Sequence, residues 1–241
     1  MYWLAVVAGL LGGLLGPLIG VGGGVIIVPI LNISGSSFQA AAAASLFSIV
    51  VTAVTSLYNY RRLIDLNMLG RYAAVSLSAA VASAFLSVKY SGTWIKLAYG
   101  IYLIAVGVVL LKNVRPRRKL PWLGYLLILI GGLASSLFGI GGGTIFVPAL
   151  ILVAGLDAKV AVAMSMGIIF PTALASTATY AALGVLDLPL AFSTAVGSFA
   201  GSYVSSRYIM PRIGSGSVRK LFTTYVFAVG FYYLWAYLVS T

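Results

Sequence analysis

The stretch GGLLGPLIGVGGGVIIVPIL, residues 12–31, returns as GGLASSLFGIGGGTIFVPAL at residues 131–150. The two stretches share 12 of 20 aligned residues at a constant offset of 119. Each contains a triple glycine, Gly22–Gly24 or Gly141–Gly143, with a proline five residues beyond its last glycine. Shared glycine content does not account for prolines in register behind matching triplets. The sequence therefore predicts an internal duplication.

A second set of matches follows each triplet at an offset of 120. Its members are spaced three or four residues apart, which places them on one narrow face of a helix. The matching pairs are Ser45 with Ser165, Ile49 with Ile169, Thr52 with Thr172, Ser56 with Ser176, and Tyr60 with Tyr180. Hydroxyl groups dominate this face, and they predict either contact with a solute or hydrogen bonds between helices.

Composition places the chain in a lipid bilayer, because 61% of its 241 residues are hydrophobic, 7% are charged and the mean hydropathy is +1.10. The apolar residues form successive blocks close to the length of a membrane span. Each half has one long stretch broken by its triplet, 2–33 or 122–154, followed by three ordinary spans. Those spans are predicted at 39–60, 68–88, 94–111, 160–183, 188–206 and 221–239.

The distribution of basic residues favours a hairpin over a single crossing for each broken stretch. If both stretches crossed the membrane, the 15 Lys and Arg residues would divide 8 to 7 between its two sides. If both stretches turn back, the division is 13 to 2, with only Lys89 and Lys96 on the minor side. The second division obeys the positive-inside rule. It predicts inverted halves, with both chain termini outside the cytoplasm of a multi-pass protein in the cell membrane.

The predicted fold class is therefore an all-α, polytopic membrane protein with two inverted repeats. Each repeat consists of a glycine-broken, re-entrant helical hairpin and three transmembrane helices. The predicted divisions are an N-terminal repeat at 1–111, a basic cytoplasmic linker at 112–121 and a C-terminal repeat at 122–241. The oligomeric state is left open.

Residue types that are missing exclude several classes of function. The chain has no His, Glu or Cys, and its three Asp residues lie near predicted loops. An enzyme would need an acid, base or metal-ligand cluster that this composition cannot supply, so no catalytic residue, metal or cofactor is expected. The net charge of +12 is read as loop charge that orients the chain in the bilayer, and no nucleic-acid partner is expected.

The glycine breaks predict where a solute would bind. Irregular backbone at membrane depth is tolerated only where protein or a watery cavity surrounds it. New helices starting at Val25 and Thr144 would present free amide groups, which attract anions. The predicted binding residues are the glycines and nearby hydroxyls, with a small anion as substrate: Gly22, Gly23, Gly24, Ser45, Thr52, Ser56, Gly141, Gly142, Gly143, Thr144, Ser165, Thr172 and Ser176. Close helix packing is the alternative role for these glycines.

The repeated core Gly-[VI]-Gly-Gly-Gly-x-[IF]-x-Val-Pro, at the head of each half, resembles the TauE/SafE family of sulfite and organosulfonate exporters. The resemblance covers essentially the whole chain. It implies a multi-span permease for sulfur-containing anions such as sulfite, sulfoacetate or thiosulfate, working mainly in export. A passive anion channel and a non-transporting membrane subunit remain alternatives, because composition does not separate them.

Overall fold

The computed structural model describes residues 2–89, 93–111, 121–210, 212 and 215–240, and in these residues it contains helices and no strand. The predicted linker at 112–121 falls outside them except for Pro121, the first residue of a helix. Within the described part of the chain, four helices have the length and hydropathy of a membrane span. The described part of the chain is therefore all-helical, as expected for a multi-pass membrane protein.

In its described residues, the first half contains five helices, α1 to α5. They are α1 (Tyr2–Ile19), α2 (Gly24–Ile33), α3 (Phe38–Tyr60), α4 (Leu66–Lys89) and α5 (Thr93–Leu111). The second half repeats this order with α6 (Pro121–Phe138), α7 (Gly143–Leu152), α8 (Ala158–Ala182), α9 (Leu188–Val204) and α10 (Ser215–Ser240). A 3-10 turn, Arg61–Leu63, follows α3, and a π-helical turn, Ser205–Ile209, follows α9.

The predicted spans match these helices closely, and the largest difference concerns the last one. The helix α10 begins six residues before the predicted residue 221, at Ser215. The added turn reads SGSVRK, whose polar residues lie outside any apolar block. Hydropathy detects the hydrocarbon-spanning part of a helix and misses its polar extension.

Each glycine-broken stretch folds into a helical hairpin. A Cβ added at Gly12 of α1 would lie 2.7 Å from the Ile27 side chain of α2, and one at Gly16 would lie 2.7 Å from the Gly23 nitrogen. This order of contacts makes α1 and α2 antiparallel. With 10 residues, α2 rises about 15 Å, half the thickness of a hydrocarbon core. Gly131 meets Phe146 of α7 in the same way.

The helices of the two halves interlock in a reciprocal pattern. The helix α1 packs along α9 and α6 packs along α4, while α3 and α8 contact each other. The crossing of α1 and α9 brings backbones together, because a Cβ at Gly197 would lie 2.0 Å from the Val6 carbonyl oxygen and one at Gly13 would lie 2.4 Å from that of Ser198. Small residues therefore allow the close packing of helices at this crossing.

Candidate functional site

The two triple glycines turn the chain between the helices of each hairpin. Gly23 precedes α2 with φ 94°, and Gly142 precedes α7 with φ 73°, a left-handed conformation that favours glycine. Neither position has a side-chain cap. The helices begin at Gly24 and Gly143, one residue before the predicted Val25 and Thr144.

The amide groups of these turns are largely without protein acceptors. In the first turn, the N–H groups of Ile26 and Ile27 donate to the Gly23 carbonyl oxygen at 3.0 and 3.2 Å. Among the described residues, the N–H groups of residues 22–25 have no hydrogen-bond acceptor, and the same holds for residues 141–144. Such groups are the free donors expected at a helix N-terminus, where they favour negative charge.

The two breaks lie against each other. A Cβ at Gly24 would come 2.3 Å from the Gly139 carbonyl oxygen, and one at Gly143 would come 2.0 Å from that of Gly20. The contact is reciprocal, because 24 and 143, like 20 and 139, are equivalent at the offset of the repeat. Two half-length helices from different halves therefore begin beside each other.

Ser45 and Ser165 form hydrogen bonds that link the breaks of the two halves. The Ser45 hydroxyl donates to the Gly139 carbonyl oxygen at 2.7 Å, and the Ser165 hydroxyl donates to that of Gly20 at 2.7 Å. Both side chains are fully buried. These two predicted site residues are thus brought to the glycine breaks, where each one binds the backbone of the other half.

The contacts of Ile49 show where the two breaks lie along the length of α3. Its side chain would lie 2.9 Å from a Cβ at Gly22 and 3.3 Å from one at Gly141. Ile49 is also the middle residue of α3, which spans Phe38–Tyr60. Both turns therefore lie level with the middle of this helix.

The other predicted hydroxyls lie beyond Ile49 and Ile169 on α3 and α8, and all four are fully buried. Ser56 donates to the Thr52 carbonyl oxygen at 2.7 Å, and Ser176 to that of Thr172 at 2.8 Å. These bonds within a helix satisfy the serines locally.

Three further hydroxyl groups that the sequence did not indicate complete these contacts. Thr172 donates to the Ser76 hydroxyl of α4 at 2.9 Å. Ser176 shares a hydrogen bond with Ser136 of α6, and Thr144 shares one with Tyr102 of α5. Ser76 and Tyr102 lie far from both triplets in sequence, and Ser136, although it precedes the second triplet, lies outside the repeated hydroxyl face, so spacing alone gave no signal for them.

The conformation is closed around the first break. A cavity of about 10 Å³ lies between α1 and α2, lined by glycines and aliphatic side chains that include Gly16 and Gly23. This volume holds about one water molecule at most. No group of three or more acidic, His or Cys residues in the described part of the chain could hold a metal ion.

The amino-acid sequence of the chain matches a known protein family. The family described as Sulfite exporter TauE/SafE matches residues 5–233, which is nearly the full chain. The chain belongs to the TauE/SafE family.

Two relatives of this TauE/SafE protein agree with that assignment. A probable membrane transporter protein from Methanocaldococcus jannaschii is 27% identical over 256 residues, covering 96% of this chain and 94% of the relative. A probable membrane transporter protein from Bacillus subtilis is 27% identical over 253 residues, covering 91% and 89%. The resemblance inferred from the glycine cores is thereby confirmed, and the protein is a membrane transporter of this family.

Proposed function

We propose that this protein carries small sulfur-containing anions, such as sulfite, sulfoacetate or thiosulfate, out of the cell across the plasma membrane. The substrate would bind where the two glycine breaks meet. The observation that carries this proposal is the pair of opposed helix N-termini, at Gly24 and Gly143, whose amide groups have no acceptor among the described residues.

The chemistry of the break suits an anion better than a cation. Free amides and hydroxyls donate hydrogen bonds to an oxyanion, and no carboxylate is needed. Two of the three acidic side chains cap helix starts: Asp65 accepts from the Asn67 amide at 2.9 Å, and Asp187 accepts from the Leu190 amide at 3.0 Å. A cation bound at the breaks would have no counter-charge from these two groups.

The predicted site residues would serve in two roles. The triplet glycines would present amide donors, and the hydroxyls of α3, α8 and Thr144 would complete the shell around the anion. The conformation described is closed, so the anion would bind in a different conformation. The aliphatic side chains of Ile49 and Ile169 lie against Gly22, so they would have to move aside for a substrate to enter.

Two inverted repeats would provide that movement. The reciprocal contacts of α1 with α9 and of α6 with α4 are those expected if two equivalent units are related by a two-fold axis. If the axis lies in the membrane plane, as the 13 to 2 charge division predicts, the hairpins enter from opposite sides. Alternating opening of the two halves around the breaks would then expose the site to each side in turn.

The membrane potential could drive export without a coupling ion. Moving one negative charge outward down an inside-negative potential releases roughly 2.3 kcal/mol per 100 mV. That free energy supports a concentration gradient of roughly fifty-fold, since 1.4 kcal/mol corresponds to a factor of ten. A potential-driven uniport is therefore sufficient for export.

Flux in proteoliposomes tests the proposal. Sulfite-loaded vesicles should release sulfite when a potassium-diffusion potential, negative on the cytoplasmic side of the protein, is imposed. Release should saturate with sulfite concentration and should exceed that of choline or other cations. A conductance that does not saturate would point to a channel, and absence of anion flux in folded protein would contradict the proposed function.

A further inference from the structure

The two glycine breaks differ in the residues that surround them. At the offset of 119, Gly16 and Val25 beside the first break correspond to Ser135 and Thr144 beside the second. The first break therefore has a hydrogen atom and an apolar side chain where the second has two hydroxyls. Because an oxyanion is bound by hydrogen-bond donors, this difference in residue type bears on which break can hold it.

The space beside the first break is small and apolar. Gly16 and Val25 both line the cavity of about 10 Å³ between α1 and α2, and the other lining residues, such as Ile19, are also glycine or aliphatic. Apolar cavities do not hold ordered water, and a charge placed in one would go unpaired. The residues that line this cavity offer an anion no donor beyond their backbone amides.

Ser135 faces the second break. It lies one turn after Gly131 on the same face of α6, and a Cβ at Gly131 would lie 3.3 Å from the Gly142 carbonyl oxygen. A Cβ at Gly16, the counterpart of Ser135, would lie 2.7 Å from a backbone nitrogen of the first triplet. The Ser135 side chain therefore lies against the second turn, where the amide groups of residues 141–144 have no acceptor among the described residues.

The Ser135 hydroxyl is fully buried and has no hydrogen-bond partner within the described part of the chain. Such a group is uncommon and requires a specific explanation. Ser87 of α4 is also fully buried without a partner among the described residues, so this property alone does not mark a site. Ser135 differs in its position beside free amide groups, which need an acceptor as its own hydroxyl does. One oxyanion bound between them would satisfy both.

Tyr102 of α5 lies in the space beside the second break that is equivalent to the first cavity. Its ring packs on Phe138 with the centroids 5.1 Å apart, and Phe138 is the counterpart of Ile19 in the cavity lining. The Tyr102 hydroxyl shares a hydrogen bond with Thr144, which is the counterpart of Val25. A third hydroxyl is thereby held at the N-terminus of α7, where movement of the tyrosine ring would leave room for a ligand.

We propose that the second break is the oxyanion subsite, and that the hydroxyls of Ser135, Thr144 and Tyr102 donate to the ligand beside the free amides of α7. This inference rests on the proposed function and deepens it, because it states which of the two helix N-termini holds the charged group. The ligand group is the SO3 group that sulfite, sulfoacetate and thiosulfate have in common, whose oxygens accept these hydrogen bonds. The first break then contributes backbone amides alone.

Transport kinetics test the role of Ser135. Ser135→Ala removes the hydroxyl, and Ser87→Ala is the matched control, because both serines are fully buried and without a partner among the described residues. In sulfite-loaded proteoliposomes, Ser135→Ala should raise the apparent KM about tenfold, the typical effect of losing one hydrogen bond to a charged group. Ser87→Ala should change it less than about twofold. An increase no larger for Ser135→Ala than for Ser87→Ala would overturn the assignment.

A second pair of variants tests Tyr102. The reciprocal contacts of Gly100 with Gly230, in which a Cβ on either would lie 3.1 or 3.3 Å from the carbonyl oxygen of the other, make Tyr232 of α10 the counterpart of Tyr102. Tyr102→Phe keeps the ring on Phe138 and should raise the apparent KM about tenfold. Tyr232→Phe should change it less than about twofold, because Tyr232 is exposed. Equal values in the two variants would remove Tyr102 from the subsite.

Thermal unfolding in detergent tests binding without transport. Sulfite at about ten times its wild-type Kd should raise the Tm of the wild type, and a tenfold weaker affinity in Ser135→Ala should reduce that rise to about a third. Ser87→Ala should keep the wild-type rise. The Tm of each variant without sulfite shows that it is folded. A full rise in Ser135→Ala would show that its hydroxyl does not contact the anion.

The two proposals fail in different ways. If the wild type transports sulfite but Ser135→Ala and Tyr102→Phe have the same apparent KM as their controls, the subsite is wrong and the function stands. If sulfite stabilises the folded wild type more than Ser135→Ala while no anion crosses the membrane, the transport function is wrong and the subsite stands.

Discussion

At the scale of single residues, the glycines of the breaks have a packing role in addition to the proposed role in anion binding. Gly23 and Gly142 adopt left-handed backbone conformations, and each packs against the backbone of the preceding helix. Any side chain there would meet a carbonyl oxygen of its own hairpin. Substitution of either glycine is therefore expected to impair folding before any effect on substrate binding can be measured.

Replacing Gly23 by alanine should destabilise the protein strongly. The added Cβ would lie 2.4 Å from the Gly12 carbonyl oxygen, at φ 94°. The strain and the overlap together should lower the free energy of unfolding by about 3 kcal/mol, measured by thermal unfolding in detergent. Gly184→Ala is the control, since Gly184 has φ 70° and open space around it. An equal loss in both variants would show that overlap contributes nothing.

The bonds from Ser45 and Ser165 should contribute equally to stability. Ser45→Ala and Ser165→Ala each leave a buried carbonyl oxygen, of Gly139 or Gly20, without its hydroxyl donor. Each variant should lose about 0.6 to 2 kcal/mol in unfolding free energy, the range of hydrogen bonds between membrane helices. Ser193→Ala should change it by less, because the Ser193 hydrogen bond is exposed and lies within its own helix. A marked inequality between the two variants would argue against equivalent roles.

At the scale of helices, the crossing of α1 and α9 is the closest packing between the two halves. Glycines on both helices allow backbone to lie on backbone, so a side chain has no volume to occupy. The hairpin of the first half is thereby held against the second half. When one half moves relative to the other, α1 and α9 must either keep these contacts or slide along each other.

A bulky residue in this crossing should prevent assembly. Gly197→Val would place its Cβ 2.0 Å from the Val6 carbonyl oxygen, an overlap that only separation of α1 from α9 could relieve. The yield of monodisperse protein in size-exclusion chromatography should fall several-fold. Gly70→Val in α4 is the matched helix control, because nothing lies near Gly70. Normal yield from Gly197→Val would contradict the packing described.

At the scale of the whole molecule, each helix of one half has a counterpart with equivalent contacts in the other. The equivalence extends to the bonds of Ser45 and Ser165, and it ends at Ser135 and Thr144, which take the places of Gly16 and Val25. If the two halves are inverted in the membrane, equivalent groups lie towards opposite sides of it.

Labelling in intact cells should separate four loop positions into two pairs. The inverted topology places Ile33 and Ala182 outside, and Leu63 and Ala158 inside. Cysteine variants of these exposed residues should react with an impermeant maleimide accordingly, with the inner pair reacting only after permeabilisation. The chain has no native cysteine to interfere. Labelling of Ala158→Cys in intact cells would show that the second hairpin does not turn back.

The sequence by itself determined the duplication, the all-helical membrane class and the family. It also located the helices closely, because spans of apolar residues and glycine breaks are local properties of the chain. Hydroxyls at three- and four-residue spacing predicted one helical face correctly, since the helix repeat alone places Ser45, Ile49 and Thr52 together. Glycine triplets predicted breaks because only glycine readily adopts their left-handed backbone.

Only the tertiary structure decided what those groups contact. Ser45 reaches the Gly139 carbonyl oxygen 94 residues away, and Thr172 reaches Ser76 at a separation of 96. Such partners depend on how α4, α6 and α9 pack around α3 and α8, which no local pattern encodes. Thr52 and Thr172 are identical in residue type and in helical position, yet the Thr172 hydroxyl has a partner and that of Thr52 has none among the described residues. That difference arises from the packing of the neighbouring helices.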